Sequence, residues 1–412
     1  MTVLDNTRDA PFASTQQRAD ALALIVSTID RRFAVPEEGE VLVAELRKRI
    51  AAGTYDSLAT IGEFADRLTT DMQDISSDKH MRVVFRSDTR EVRPVEKTME
   101  EERKIEENDN EEDETIESNK TFKAQSTFRN QFIEEVRILP GGIGYCKLLA
   151  FPMSTSAAQA YSGLFNMVAD TRGLILDLTA NRGGSSSADL LQSYLHKASR
   201  RPVVALYHRF TDTKNVVTLH PCLSGPRYDD RPVWVLISND TFSAAEHFAC
   251  TAKALGRVRL IGEKTGGGGR GCEMYWIHPN LDLSCSTYQA VCVVDGSSWE
   301  GCGVKPHIEC PVEDALSVAH LEALELIVPV LEADPVLKHF GNGRGAKSFG
   351  RQTLDELRER FEKKMAPADD QTTTTSTADV ETDPQSASIN PPSESAAQVA
   401  PERSSPASAC QR

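Results

Sequence analysis

Between Ile143 and Val330, apolar runs of strand length alternate with stretches of helical pattern, and this alternation limits the fold more than any other feature. The runs are Ile143 to Leu149, Leu174 to Leu178, Val203 to Tyr207, Val233 to Ile237 and Val258 to Ile261, with helical patterns near Ala188 to Lys197 and from Ala244 to Leu255. Runs that are apolar at nearly every position, broken here only by Lys147, Asp177 and Arg259, suit strands buried on both faces, and intervening helices supply the cover. The expectation is an α/β fold with a substantially parallel sheet. Two further β-like stretches, Met274 to Ile277 and Thr287 to Val294, precede a helix from about Glu313 to Val330.

Ahead of this region the periodicity is helical throughout. Leu22, Ile25, Val26 and Ile29, then Val41, Leu42, Leu46 and Ile50, then Phe64, Leu68 and Met72 predict a small bundle, with breaks at Val35-Pro36 and Ala52-Gly53-Thr54. The net charge of -15 is concentrated between the two regions, where Glu100 to Glu117 holds eleven acidic and two basic residues. Such a run repels itself and buries nothing, so a disordered insertion is expected. Six segments follow: a flexible N-terminus (1–15), a helical N-terminal domain (16–82), the acidic insertion (83–130), a catalytic-type α/β domain (131–335), a C-terminal helical extension (336–365) and a disordered tail rich in Thr, Ser, Pro and Ala (366–412).

No basic stripe offsets the acidity, which argues against nucleic acid as a partner. Nine cysteines without a Cys-x-x-Cys pair argue against a zinc knuckle and a disulfide framework. Together with the lack of an apolar run of about eighteen residues, this predicts a soluble, cytoplasmic protein that does not engage a membrane.

The candidate chemistry lies at two turns. Ser243 sits where the run Val233 to Ile237, followed by Ser238-Asn239-Asp240-Thr241, gives way to a helix former at Ala244. Free amides at a helix N-terminus stabilise negative charge developing on a substrate, although a serine there also serves as an ordinary helix cap. The second turn, Thr179-Ala180-Asn181-Arg182-Gly183-Gly184, also follows an apolar strand, and paired glycines let bare amides face a cavity.

Taken in order, Asp78-Lys79-His80-Met81, Leu139-Pro140-Gly141-Gly142-Ile143-Gly144-Tyr145, Asp177 to Gly184, Thr241-Phe242-Ser243-Ala244-Ala245-Glu246, Gly262 to Gly268 and Trp299 to Pro306 resemble the tail-specific, or carboxy-terminal processing, serine peptidases. The branch related to interphotoreceptor retinoid-binding protein is the most similar. This resemblance spans roughly Gln16 to Val330 and implies a crotonase-like catalytic domain that cleaves peptide bonds through an acyl-enzyme, with a peptide or protein substrate and no metal or cofactor.

Residue by residue, the resemblance implies Ser243 as nucleophile, with the amides of Ala244 and of Gly183 or Gly184 as the oxyanion hole. Many members activate the serine with a lysine in a Thr-Phe-Gly-Lys element. The similar element here is Thr265-Gly266-Gly267-Gly268, with glycine at the lysine position, and Lys264 reads as a surface residue. The resemblance then gives His80 as base and Glu300 as the acid that orients it, while Glu246 supports the helix and loop. His247, four residues after Ser243, is a competing base by helical spacing. Two rival functions stay open: a retinoid or fatty-acid carrier on the same scaffold, and a hydrolase or acyl transferase of small esters or modified peptides.

Overall fold

The computed structural model describes residues 7–12, 14–86, 116–336 and 350–365. Three helices open the chain: α1 (Thr15–Arg32), α2 (Pro36–Ala51) and α3 (Ile61–Ser76). Each start has a local cause. Ser14 Oγ accepts the Gln17 N–H, Pro36 with Glu37 and Glu38 begins α2, and Thr60 and Glu63 cap α3 reciprocally. The breaks at Pro36 and Gly53 fall where the sequence placed them.

These helices do not close a core among themselves. Leu22, Ile25, Leu42, Leu46, Phe64 and Met72 pack with Tyr275, Ile277, Leu281, Leu283 and Cys285, which come from two strands 200 positions or more further on. Those strands, β9 (Arg270–His278) and β10 (Leu281–Cys292), belong to a five-stranded sheet together with β1 (Arg82–Phe85), β5 (Pro202–His208) and β6 (Thr213–Thr218). A boundary at residue 82 therefore cuts through a shared core.

The acidic segment is narrower than 83–130. Residues 87–115 lie outside the described residues, and so does most of the Glu100 to Glu117 run. Its two ends are regular: β1 extends to Phe85, and α4 (Ile116–Phe128) leads into the α/β region.

The second sheet has six strands, in the order β11 (Ile308–Glu309), β8 (Arg259–Gly262), β7 (Val233–Ile237), β4 (Gly173–Asp177), β3 (Ile143–Leu148) and β2 (Ile133–Leu139). All neighbours run parallel except β2, which forms a hairpin with β3 through Gly141 and Gly142, both at positive φ. The central strands β4 and β7 are buried at every residue, as sequences that are apolar except for Asp177 at the end of β4 require. On one face Leu174, Leu176, Val233 and Val235 pack with α5 (Ser154–Met167), α6 (Ser187–Tyr194) and α7 (Ala244–Ala254). On the other, Ile175, Trp234 and Leu236 meet α8 (Val312–Ala333). A last helix, α9, covers Arg351–Met365, and the tail from 366 lies outside the described residues.

The architecture is thus mixed α/β with a small N-terminal helical region. One expectation fails: the run Val203 to Tyr207 does not join the parallel sheet. Only residues 209–212 separate β5 from β6, too short for a crossover, so β5 pairs antiparallel with β6 and with β10. Among the described residues no helix is long and apolar enough to cross a membrane.

If helices and sheet share one core, truncating Leu283, fully buried between them, destabilises both together. Leu283→Ala should cost about 2–5 kcal/mol in urea denaturation. Far-UV circular dichroism and tryptophan fluorescence should report one shifted transition; two separated transitions would contradict the shared core.

Candidate active site

The strands β4 and β7 are adjacent and parallel, with Asp177 opposite Leu236, so the loops leaving their carboxyl ends emerge side by side. The first loop carries Gly183-Gly184 and the second carries Ser243. Backbone hydrogen bonds fasten them: Phe242 N–H donates to Asn181 O at 3.0 Å, and Gly266 N–H, from the loop after β8, donates to Thr241 O at 3.0 Å. Neither glycine tolerates a side chain. A Cβ on Gly183 would stand 2.7 Å from Ser243 Cβ, and one on Gly184 would stand 2.1 Å from Phe151 O.

Ser243 occupies the position before α7 with φ 55° and ψ -120°, a conformation that costs a non-glycine residue of order 1–3 kcal/mol. Its surroundings hold it there. Its N–H donates to Glu246 Oε2 at 2.9 Å, and its hydroxyl turns to His80, with Oγ 3.1 Å from Nε2. The structure brings together two residues 163 positions apart, within the reach that proton transfer needs. His80 is almost fully buried, and the Phe242 ring lies against it at a centroid distance of 4.6 Å.

The carboxylate facing the other ring nitrogen is that of Asp78. Its Oδ1 lies 3.7 Å from His80 Nδ1 and accepts the His80 backbone N–H at 2.9 Å. Its Oδ2 receives Arg270 Nη1 at 3.3 Å, and Arg270 Nη2 reaches Glu38 of α2 at 2.7 Å. Burial pushes the Asp78 carboxyl upward, but His80, Ser286 and Arg270 outweigh it and hold the group below the ordinary carboxylate range. Asp78 is therefore the ionised partner of His80.

Glu300, expected to orient His80, is held elsewhere: its Oε2 accepts Gly269 N–H at 2.6 Å. Burial, then the charge of Asp78, pushes the Glu300 carboxyl up to about 7, against the pull of Arg270. Two carboxyls in one neighbourhood are thus driven apart in acidity, a pattern that assigns them different roles.

Glu246 is fully buried and accepts four hydrogen bonds, from the amides of Ser243, Gly267 and Gly268 and from the Thr265 hydroxyl, at 2.6 to 2.9 Å. Burial raises its pKa, and the four donors oppose that shift. It joins the Ser243 turn to the loop after β8. In that loop, a Cβ on Gly268 would come within 2.5 Å of the Phe242 ring and 2.8 Å of His80 Cε1. Lys264 is exposed, and His247 faces Asp189 rather than Ser243, with Nε2 3.2 Å from Oδ1.

Of the oxyanion candidates, the Gly183 N–H is occupied, donating to Asn181 Oδ1 at 2.9 Å. The Gly184 and Ala244 amides have no acceptor among the described residues. Sequence reasoning missed Asp78, Arg270 and Glu38. Only Asp78 had a local signal, because an Asp two residues before a His can accept that residue's backbone N–H.

Residues 142–310 match the model of peptidase family S41, and residues 14–125 match the N-terminal domain of peptidase S41 in eukaryotic IRBP. Over 199 residues the chain is 28% identical to carboxyl-terminal-processing peptidase 3, chloroplastic, of Arabidopsis thaliana, covering 46% of this chain and 36% of that one. The chain thus spans about a third of the length of this curated relative. Solved structures with similar coordinates include a putative peptidase from Parabacteroides merdae (TM-score 0.48, 17% identity, 75% of this chain and 96% of that one). Another is the photosystem II D1 C-terminal processing protease (TM-score 0.42, 14% identity, 79% and 99%).

The raised Glu300 carboxyl has a signed consequence. Its contribution to stability is complete below its unfolded value of about 4.3 and is lost as pH rises through about 7. Glu300→Gln removes that loss while keeping the acceptor for Gly269 N–H. Melting temperatures measured from pH 4 to 8 should show the variant gaining on the wild type across this window; a constant difference would show that Glu300 ionises normally.

Proposed function

Because the chain belongs to peptidase family S41, we propose that it is a serine peptidase that hydrolyses peptide bonds in a peptide or protein substrate through an acyl-enzyme. The observation that carries the chemistry is the 3.1 Å approach of His80 Nε2 to Ser243 Oγ. In this reading Ser243 Oγ attacks the scissile carbonyl carbon as His80 Nε2 takes its proton. The carbonyl oxygen becomes an oxyanion between the Gly184 and Ala244 amides. His80 then gives the proton to the leaving amine as the C–N bond breaks. Water repeats the sequence on the ester, returning the proton to Ser243 and releasing the acid.

Asp78 takes the part first expected of Glu300. Held ionised 3.7 Å from Nδ1, it stabilises the imidazolium that forms in each half-reaction. Glu300, near its own midpoint at neutral pH, sets how much negative charge stands beside Asp78. A Ser-His mechanism rather than Ser-Lys is supported by Gly268, since the space next to it is filled by the rings of Phe242 and His80.

We further propose that the α/β domain is crotonase-like. The support is that one oxyanion donor comes from the loop after a parallel strand and the other from the helix after its neighbour. All eight described cysteines are free, as a reducing compartment keeps them, and the proposal places the activity in the cytoplasm.

Reaction with a fluorophosphonate probe tests the assignment. The wild type should label, Ser243→Ala should not, and His80→Ala and Asp78→Asn should label more slowly, by about 10²–10⁴-fold for the histidine. Equal labelling of all four proteins would refute the nucleophile and base together. Saturable fatty-acid or retinoid binding without labelling would instead identify a carrier.

A further inference from the structure

The helix that follows the Gly183-Gly184 turn, α6, and the helix that follows Ser243, α7, meet through two buried polar links in an otherwise apolar interface. His247 Nε2 lies 3.2 Å from Asp189 Oδ1, an ion-pair approach without hydrogen-bond geometry, and Thr251 Oγ1 donates to Gln192 Oε1 at 2.8 Å. Leu190, Leu191, Ala245, Phe248 and Ala252 fill the core around them. On each helix the two residues are one turn apart, three positions on α6 and four on α7, so the His247–Asp189 contact lies nearer the leading ends of both helices and the Thr251–Gln192 contact one turn further from them. Buried polar groups cost free energy unless paired, and their best attested use is to select one arrangement over others that an apolar interface would permit.

Only one arrangement suits the chemistry. Asp189 lies five residues after Gly184, and His247 lies four after Ser243, so the pair joins the bodies of the two helices whose leading ends carry the oxyanion donors and the nucleophile. His247 also stacks on Trp299, with ring centroids 6.0 Å apart and planes 19° from parallel. Trp299 Nε1 in turn donates to Gly268 O at 2.8 Å, in the loop that packs on His80. The imidazole therefore touches the supports of all three parts of the site. Burial works against its charged form, and Asp189 outweighs burial, so its pKa is raised.

We propose that the buried His247–Asp189 pair is a positioning element that sets the spacing between the Gly184 amide and Ser243 with its neighbouring Ala244 amide. The inference rests on the serine peptidase reading. It assigns His247 a function other than that of base, because its ring is turned into the α6 interface and away from the serine hydroxyl.

The test separates positioning from plain stability. Fluorophosphonate inactivation would be resolved into its maximal rate and its half-saturating probe concentration for wild type, His247→Gln, Asp189→Asn, the double variant and Thr251→Val, each with a melting curve. Thr251→Val removes the other polar link in the same interface, further from the serine, and serves as the structural control. The two pair variants should each lower the maximal rate by about 10-fold to 10²-fold with little change in half-saturation. The double variant should be no slower than the slower single, as expected for residues acting as one unit. Thr251→Val should lower the melting temperature and leave the maximal rate near that of the wild type. Unchanged rates in the pair variants, or an equal fall in Thr251→Val, would overturn the proposal. If the double variant does not fold, Asp189→Asn against Thr251→Val decides alone. A wild type that fails to label would refute the underlying peptidase reading instead.

Discussion

The carboxylate of Glu246 is the interaction on which the rest of the site depends. A carboxylate removed from water loses several kcal/mol of solvation unless its lone pairs are used. Here all of them are used: four donors converge on two oxygens, from the turn before α7 and from the loop after β8. The same contacts stabilise the left-handed backbone at Ser243 and hold the glycine-rich loop in place. That loop is the surface on which the His80 ring rests. Burial of one acid thus orders two segments that the parallel sheet by itself only brings near each other.

His80 has a different origin. It lies on the segment between α3 and β1, on the helical side of the molecule, while its partner Ser243 lies on the α/β side. Alignment across that junction is carried by a core in which α1, α2 and α3 pack directly on β9 and β10, and by the buried Arg270–Asp78 pair, which Arg270 extends to Glu38 at the surface. Arg270 suits this task because its planar guanidinium serves two carboxylates at once and stays charged when buried, its pKa raised by Glu300, Asp78 and Glu38 against the cost of burial. The N-terminal helices are therefore part of the apparatus that sets the charge beside the base.

Legibility in the sequence followed the range of the interactions involved. The strands β3, β4, β7 and β8 and the helices α1, α2, α3, α7 and α8 were readable because burial on one face or two leaves a periodic trace in each segment by itself. The partners of β5 were not, since pairing is decided by the connection that follows and by a strand eighty residues away. Ser243, Gly183 and Gly184 were legible as a strand-to-helix turn and a glycine turn, and only ordered motifs gave them chemistry. Glu300 was placed in the right neighbourhood but given a contact that Asp78 makes. Two acids near one histidine look equivalent in a sequence, and backbone donors, invisible there, decide which one turns toward the ring. Arg270 and Glu38 left no trace, because each is an ordinary charged residue until the fold buries the salt bridge.

Gly268 shows how closely the choice of base is tied to packing. The volume above its Cα is occupied by Phe242 and by His80 Cε1, so a side chain at position 268 and an imidazole at its present place exclude each other. A lysine there would also bring a second cation into a region where Arg270 already bridges Asp78 and Glu38. The glycine, the inward histidine and the buried acids are consequently one solution rather than separate features. Removing the side chain at 268 makes room for the ring; the ring then needs an anion behind it; and that anion, once buried, needs Arg270. Glu300 stands at the end of this chain. It is pushed toward neutrality by its burial and then by Asp78, which already holds a negative charge beside it.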